Sequence, residues 1–160
     1  MESPFGVMSA AHEVVAGPVR GILGSKSRDI WSLAPEASVY DAIKLMADKS
    51  IGLALVMDGS HLAGVVSERD YARKVVLQGR QARSARVGEI MSTPVITISP
   101  DTPVNECMRL MTQHRVRHLP VVDGGRVVGV ISIGDVIKYM LTAQTEALHV
   151  LSAYVATSSL

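Results

Sequence analysis

Apolar positions along this chain form short runs and helical stripes that come in the same order twice. Ser38 with Asp41 three residues on reads as a helix start, and Val39, Ala42, Ile43, Met46 and Ala47 recur at helical spacing to about Lys49. Leu53–Met57 is a continuous apolar run, Asp58-Gly59 a hairpin turn signal, and His61–Val66 the returning strand. A helix is predicted from about Glu68 to Gln78, with Gly79 where a C-terminal cap glycine belongs. The second pass predicts a strand at Val95–Ile98, a Thr102 cap with Pro103 at the first helical position, and a helix to about His114. A strand at Leu119–Val122, the turn Asp123-Gly124-Gly125, a strand at Arg126–Ile131 and a helix from Gly134 follow. Upstream, Pro18–Leu23 is a short apolar run, and a polar loop leads to a small strand at Asp29–Ser32.

The two passes stay in register 65 residues apart, from Val39/Val104 through Asp70/Asp135 to Lys74/Tyr139, which indicates an internal duplication. Each copy alone would bury too little surface to be comfortably stable, so the two are expected to share a core. Arg80–Arg86 is polar, lacks an apolar period, and reads as the linker. The last helix outruns its partner: Ile137, Met140, Leu141, Leu148, Leu151 and Val155 carry an apolar stripe well past the repeat. That stripe either covers the chain's own core or packs on a second subunit.

Composition narrows the field. With 160 residues there is no room for a separate catalytic domain, and 48% hydrophobic residues, 19% charged residues and a net charge of +1 give no basic excess for nucleic acid or a membrane surface. Cys107 is the only cysteine, which excludes an intramolecular disulfide; it falls on an apolar helix face with Val104, Met108 and Met111 and is expected to be buried and inert. No run approaches a membrane helix and no signal peptide is visible, so a cytoplasmic protein is expected. Residues 1–16 are weakly patterned and read as a flexible arm.

Sequence patterns for a nucleophile elbow, a P-loop, a zincin or a dinucleotide fingerprint are absent, so neither a catalytic site nor a metal site is expected. His114 and His118 have a helical metal spacing, but Pro120 puts His118 at a helix exit or strand start. The duplicated chemistry is Ser67-x-x-Asp70 and Ser132-x-x-Asp135, each where a strand enters a helix. Such a corner can be a helix cap needing no ligand. It can equally hold a nucleotide: the helix N-terminus and Ser hydroxyl accept phosphate, and the carboxylate takes the hydrogens of a ribose diol. Ser32 and Thr97 occupy equivalent positions at strand ends, and Arg69, Arg73, Lys74, Arg115, Arg117 and His118 concentrate cations near the corners.

Thr97-x-x-Pro100, Leu119-Pro120-Val121-Val122-Asp123 and Gly129-Val130-Ile131-Ser132-x-x-Asp135 resemble the cystathionine β-synthase (CBS) domain, and the upstream copy makes a tandem pair of the Bateman-module kind. Small stand-alone CBS-pair proteins of bacteria and plant mitochondria are similar to it, in the runs Ser67–Lys74 and Ser132–Asp135. The resemblance implies an α/β (α+β) fold of two β-α-β-β-α repeats, residues 17–79 and 87–143, joined by an 80–86 linker, packed about a pseudo-twofold axis and followed by a helical extension at 144–160. It also implies adenine nucleotides in two clefts. Asp135 and Asp70 would then hold ribose hydroxyls, Ser132 and Ser67 phosphate or ribose, Thr97 and Ser32 the nucleoside, and backbone near Arg117 and His118 the base. The first copy has Gly52-Leu53-Ala54-Leu55 where the second has Arg117-His118-Leu119-Pro120, so the second cleft is expected to be the principal one, with Arg69 reaching across the pair to the phosphate.

The reading that follows is a non-enzymatic sensor of AMP or NAD, extending to ADP or ATP, that works as a homodimer on an unidentified protein target. NAD enters as an effector, since nothing in the sequence positions a nicotinamide for hydride transfer. A constitutive dimeric interaction module with vestigial clefts is the alternative. A small enzyme using Ser67 or Ser132 as nucleophile would lack a base placed by the sequence.

Overall fold

The computed structural model describes residues 17–27 and 29–158; the predicted N-terminal arm, 1–16, lies outside them. In chain order the elements are α1 (Arg20–Gly24), β1 (Ser32–Leu33), α2 (Val39–Lys49), β2 (Leu53–Asp58), β3 (His61–Ser67), α3 (Glu68–Tyr71), α4 (Val87–Ile90), α5 (Val104–His114), β4 (His118–Asp123), β5 (Arg126–Ser132) and α6 (Ile133–Ser158). A three-stranded sheet runs β1-β2-β3, with β1 parallel to β2 and β3 antiparallel to it, and β4 pairs with β5 in a second sheet. The fold is mixed α/β, as the periodicity indicates.

The duplication survives into burial. Strands β2 and β4 bury the same three consecutive positions, Ala54-Leu55-Val56 and Leu119-Pro120-Val121, and the matching buried positions are Gly64 and Val66 in β3 and Gly129 and Ile131 in β5. Both hairpins turn on glycines in the left-handed region, Gly59 at φ 60° and Gly124 and Gly125 at 57° and 78°, where an L side chain would be strained. Helix α2 starts as its sequence dictates, with the Ser38 hydroxyl accepting from the Asp41 N–H at 3.0 Å.

Four local expectations shift. The first small strand forms at Ser32–Leu33 rather than over Asp29–Ser32, because β1 takes its register from β2, pairing Ser32 with Leu55 and Leu33 with Val56. Val95–Ile98 does not form a strand: only Ile98 pairs, as an isolated parallel bridge to Val121. Thr102 does not cap α5; Pro103 is the N-cap residue, and the Thr102 hydroxyl instead accepts the Ser99 N–H at 3.0 Å. The helix after β3 is α-helical only to Tyr71, then runs through a π-helical turn, Ala72–Val76, and ends where Gly79 turns left-handed at φ 66°.

The chain divides into two compact units that cut across the repeats. One contains residues 17–27, 98–121 and 131–158; the other contains 29–97 and 122–130. In the first unit Ile22, Leu23, Val104, Cys107, Met111 and Val136 are buried, and α1 crosses α6 closely enough that a Cβ on Gly21 would meet the Tyr139 ring at 3.2 Å. Cys107 is buried as expected, and loss of hydration pushes its thiol up to about 11. In the second unit the core gathers Val39, Ala42, Met46, Ala54, Val56, Val66, Val75 and Ile90. Truncating a fully buried member such as Met46 to Ala costs about 2–5 kcal/mol. The linker stretch is tied down here, with Val39 N–H donating to Ala85 O at 2.9 Å and Tyr40 N–H to Ala82 O at 3.0 Å.

Candidate functional site

Strand β3 delivers Ser67 in extended conformation directly into α3, which makes Ser67 the N-cap and Asp70 the third helical residue. The pair closes a capping box: Asp70 N–H donates to the Ser67 hydroxyl at 3.2 Å, and Asp70 Oδ2 accepts from Ser67 N–H and Oγ, both at 2.9 Å. The other oxygen, Oδ1, accepts from Ser92 Oγ at 2.9 Å and pairs with the Lys74 ammonium at 2.9 Å. Lys74 also donates to Ile90 O at 2.8 Å. Asp70 is 8% exposed. Burial pushes its carboxyl up, but Lys74, Ser92 and Ser67 outweigh this and hold it below the usual carboxylate value. Arg69, the neighbouring residue of α3, is exposed.

The second corner repeats the cap but not its surroundings. Asp135 N–H donates to Ser132 Oγ at 3.2 Å, and Asp135 Oδ2 accepts from Ser132 N–H at 2.8 Å and from the Lys26 ammonium at 2.6 Å. All of these carboxylate contacts fall on Oδ2. The Asp135 side chain keeps 24% of its surface exposed, and that of Lys26 31%. Burial raises the carboxyl, and Lys26 with the Ser132 N–H overcomes it, so the net direction is down. Arg117 O accepts the Ile133 N–H at 2.8 Å, which fixes the start of β4 against the start of α6. Arg117 is exposed and His118 half-buried. Burial lowers the His118 imidazole; Asp135 opposes this, and Lys26 and Arg117 reinforce it.

The sequence-based site residues therefore gather in three places. Arg117, His118, Ser132 and Asp135 come together in the first unit, and Ser67, Arg69 and Asp70 in the second. Ser32 and Thr97 lie elsewhere in the second unit, lining two adjoining hollows of about 530 and 510 Å³ that share Ser60, Gly125 and Val127. Lys26 and Ser92 were not legible as site residues. Lys26 had a signal, a cation in a Ser/Gly loop, but its partner lies 109 positions away. His114 closes α5 and His118 opens β4, and among the described residues no group of three His, Cys, Asp or Glu could hold a metal. No described helix is long and apolar enough to cross a membrane.

Comparison with known proteins agrees with the repeated architecture. The CBS-domain family profile matches residues 19–77 and 87–142, so the chain belongs to the CBS-domain family and carries two copies. Among its relatives, the mitochondrial CBS domain-containing protein CBSX3 of Arabidopsis thaliana is 42% identical over 131 residues, which are 79% of this chain and 63% of the plant protein. This chain thus spans less than two thirds of that relative's length. A solved putative signal-transduction protein with CBS domains from Burkholderia ambifaria is 52% identical with a TM-score of 0.76, covering 78% of this chain and 94% of the other. A hexameric CBS-CP12 protein of bloom-forming cyanobacteria is 30% identical with a TM-score of 0.66, covering 75% and 70%. The family is one of regulatory, generally non-catalytic CBS pairs.

Proposed function

We propose that this chain is a non-enzymatic regulatory module that binds an adenine nucleotide, AMP or NAD, chiefly at the Ser132–Asp135 corner. The observation that carries the reading is the state of Asp135: ionised, at a helix N-terminus, and still partly open to solvent. A ribose diol is a neutral group well suited to such a carboxylate, and Ser132 and the exposed Arg117 are the donors this reading assigns to the phosphate. Asp70 has both oxygens engaged and little exposure, which favours the second corner over the first. Thr97 and Ser32 border hollows of a size usual for small ligands in the other compact unit, lined by no residue of the Ser132–Asp135 corner, so they are not part of the reading that Asp135 carries. Arg69, exposed beside Asp70 on α3, adds charge to a phosphate held at that first corner. The module works as a homodimer on a protein target, as a regulatory CBS pair would.

Calorimetry with AMP, adenosine and NAD tests this. Millimolar AMP or NAD is expected to raise the melting temperature by several degrees. Replacing Asp135 by Ala removes charge-assisted hydrogen bonds of about 1.5–3 kcal/mol and lowers affinity roughly tenfold to several hundredfold. Arg69→Ala weakens AMP more than adenosine. A melting curve indifferent to every adenine nucleotide would favour the constitutive interaction module instead.

A further inference from the structure

Helix α6 carries two stripes with different fates. Val136 and Ala143 are buried and Tyr139, Met140 and Ala147 half-buried, so this stripe belongs to the chain's own unit and ends near Ala147. The neighbouring stripe, Ile137, Leu141, Gln144, Leu148, Leu151 and Val155, is exposed throughout, its apolar members by 44–64%. Its spacing is 4, 3, 4, 3, 4, a heptad seam about 27 Å long on a helix rising 1.5 Å per residue. The reading in which this tail covers its own core is thereby excluded for the seam.

We propose that this seam is a self-association surface, occupied by α6 of a second copy lying parallel and in register. The charge pattern selects that occupant. From Tyr139 to the end of the sequence there is no Lys or Arg and one acid, Glu146. A membrane surface would call for a basic polar face, which is missing. Beyond Lys138 the positions flanking the seam are Thr145, Ser152, Met140, Ala147 and Tyr154, so nothing there attracts an oppositely charged foreign helix or repels an identical one. Gln144 fixes the orientation. Its amide carries both donors and an acceptor, and only a parallel, in-register copy sets it against another Gln144; an antiparallel copy sets it against Leu148 and leaves it unsatisfied. A monomer would instead expose an apolar strip of a size that soluble single chains rarely show. This inference stands independently of nucleotide binding.

Light scattering on the full chain at micromolar concentration gives its mass, and the double variant Leu148→Asp/Leu151→Asp is expected to halve it or reduce it further while the circular dichroism of the fold persists. Because both residues are exposed in the single chain, the variant retains its core. Gln144→Cys, oxidised mildly, forms a disulfide-linked dimer, whereas Glu146→Cys on the opposite side of the helix does not; the native Cys107 is buried and stays silent. A monomeric parent chain, an unchanged mass in the double variant, equal cross-linking at the two cysteines, or no link at Gln144→Cys would each overturn the proposal.

Discussion

The two Ser-x-x-Asp corners have the same local design and different neighbours. In the first, the carboxylate is tied on both oxygens, to Ser67 on one side and to Ser92 and Lys74 on the other, and is nearly sealed. In the second, the same cap holds only Oδ2, and the balancing ammonium comes from Lys26, a residue in the loop after α1. A capping box is complete with one carboxylate oxygen; what happens to the other is decided by the segment that passes by. The first corner thus reads as a structural tie between α3 and the segment carrying Ser92, and the second as a cap with an oxygen to spare.

That contrast can be broken by experiment, and the largest effect is in stability. Asp70→Ala is expected to lower the unfolding free energy by about 2–4 kcal/mol, from a lost cap and lost charge-assisted bonds, tempered because Lys74 is partly solvated. Asp135→Ala, by the same reasoning for a more open pair, is expected to cost about 1 kcal/mol. Urea unfolding of both variants checks the ordering, and equal losses would erase the distinction. Next comes Lys26→Met, which removes the competitor from Oδ2 and is expected to strengthen adenosine binding a few-fold in calorimetry; weaker binding would make Lys26 part of the ligand site instead.

A third effect is a pH dependence near neutrality at the second corner, where His118 lies. Burial holds the folded His118 below its ordinary value of about 6.5, so the unfolded chain binds the extra proton first and stability falls as pH drops from about 6.5 toward the lowered folded value. His118→Gln should flatten the melting temperature over that window. The depressed carboxyls of Asp70 and Asp135 act lower down: their contribution is present above the usual carboxylate value and is lost on acidification through their folded values. The smallest contrast is between the caps of α2 and α5. Ser38→Ala removes a side-chain cap and is expected to cost about 1 kcal/mol in urea unfolding, whereas Thr102→Ala loses only exposed hydrogen bonds to the Ser99 N–H and hydroxyl and costs about 0.5 kcal/mol.

Much of the fold was legible because its causes are local. The Ser38 cap, the glycines that turn both hairpins and the alternation along β3 and β5 are each set within a few residues; the glycine turns and the strand alternation recur 65 positions on because the same physics acts on the same pattern, whereas the cap does not, since Pro103 stands where Ser38 does. The site was legible to the same depth: each Ser-x-x-Asp pair could be read as a cap or a diol acceptor, since both need the same residues at the same spacing. Where elements departed from expectation, the cause was non-local. Ile98 finds Val121 while residues 95–97 find no strand partner; the exception is Thr102, which turns back to Ser99 three residues away once Pro103 takes the cap, a local effect.

The sequence by itself determined the duplication, the order of strands and helices, the two corners and the apolar stripe of the last helix, because periodicity, turn chemistry and capping are written at short range. Only the tertiary structure decided which cation meets which carboxylate, that one corner is sealed and the other open, and that the stripe past Ala143 stays exposed. Those outcomes depend on segments 22 and 109 residues apart meeting in space, and no local pattern encodes which distant side chain a fold will bring to a given oxygen.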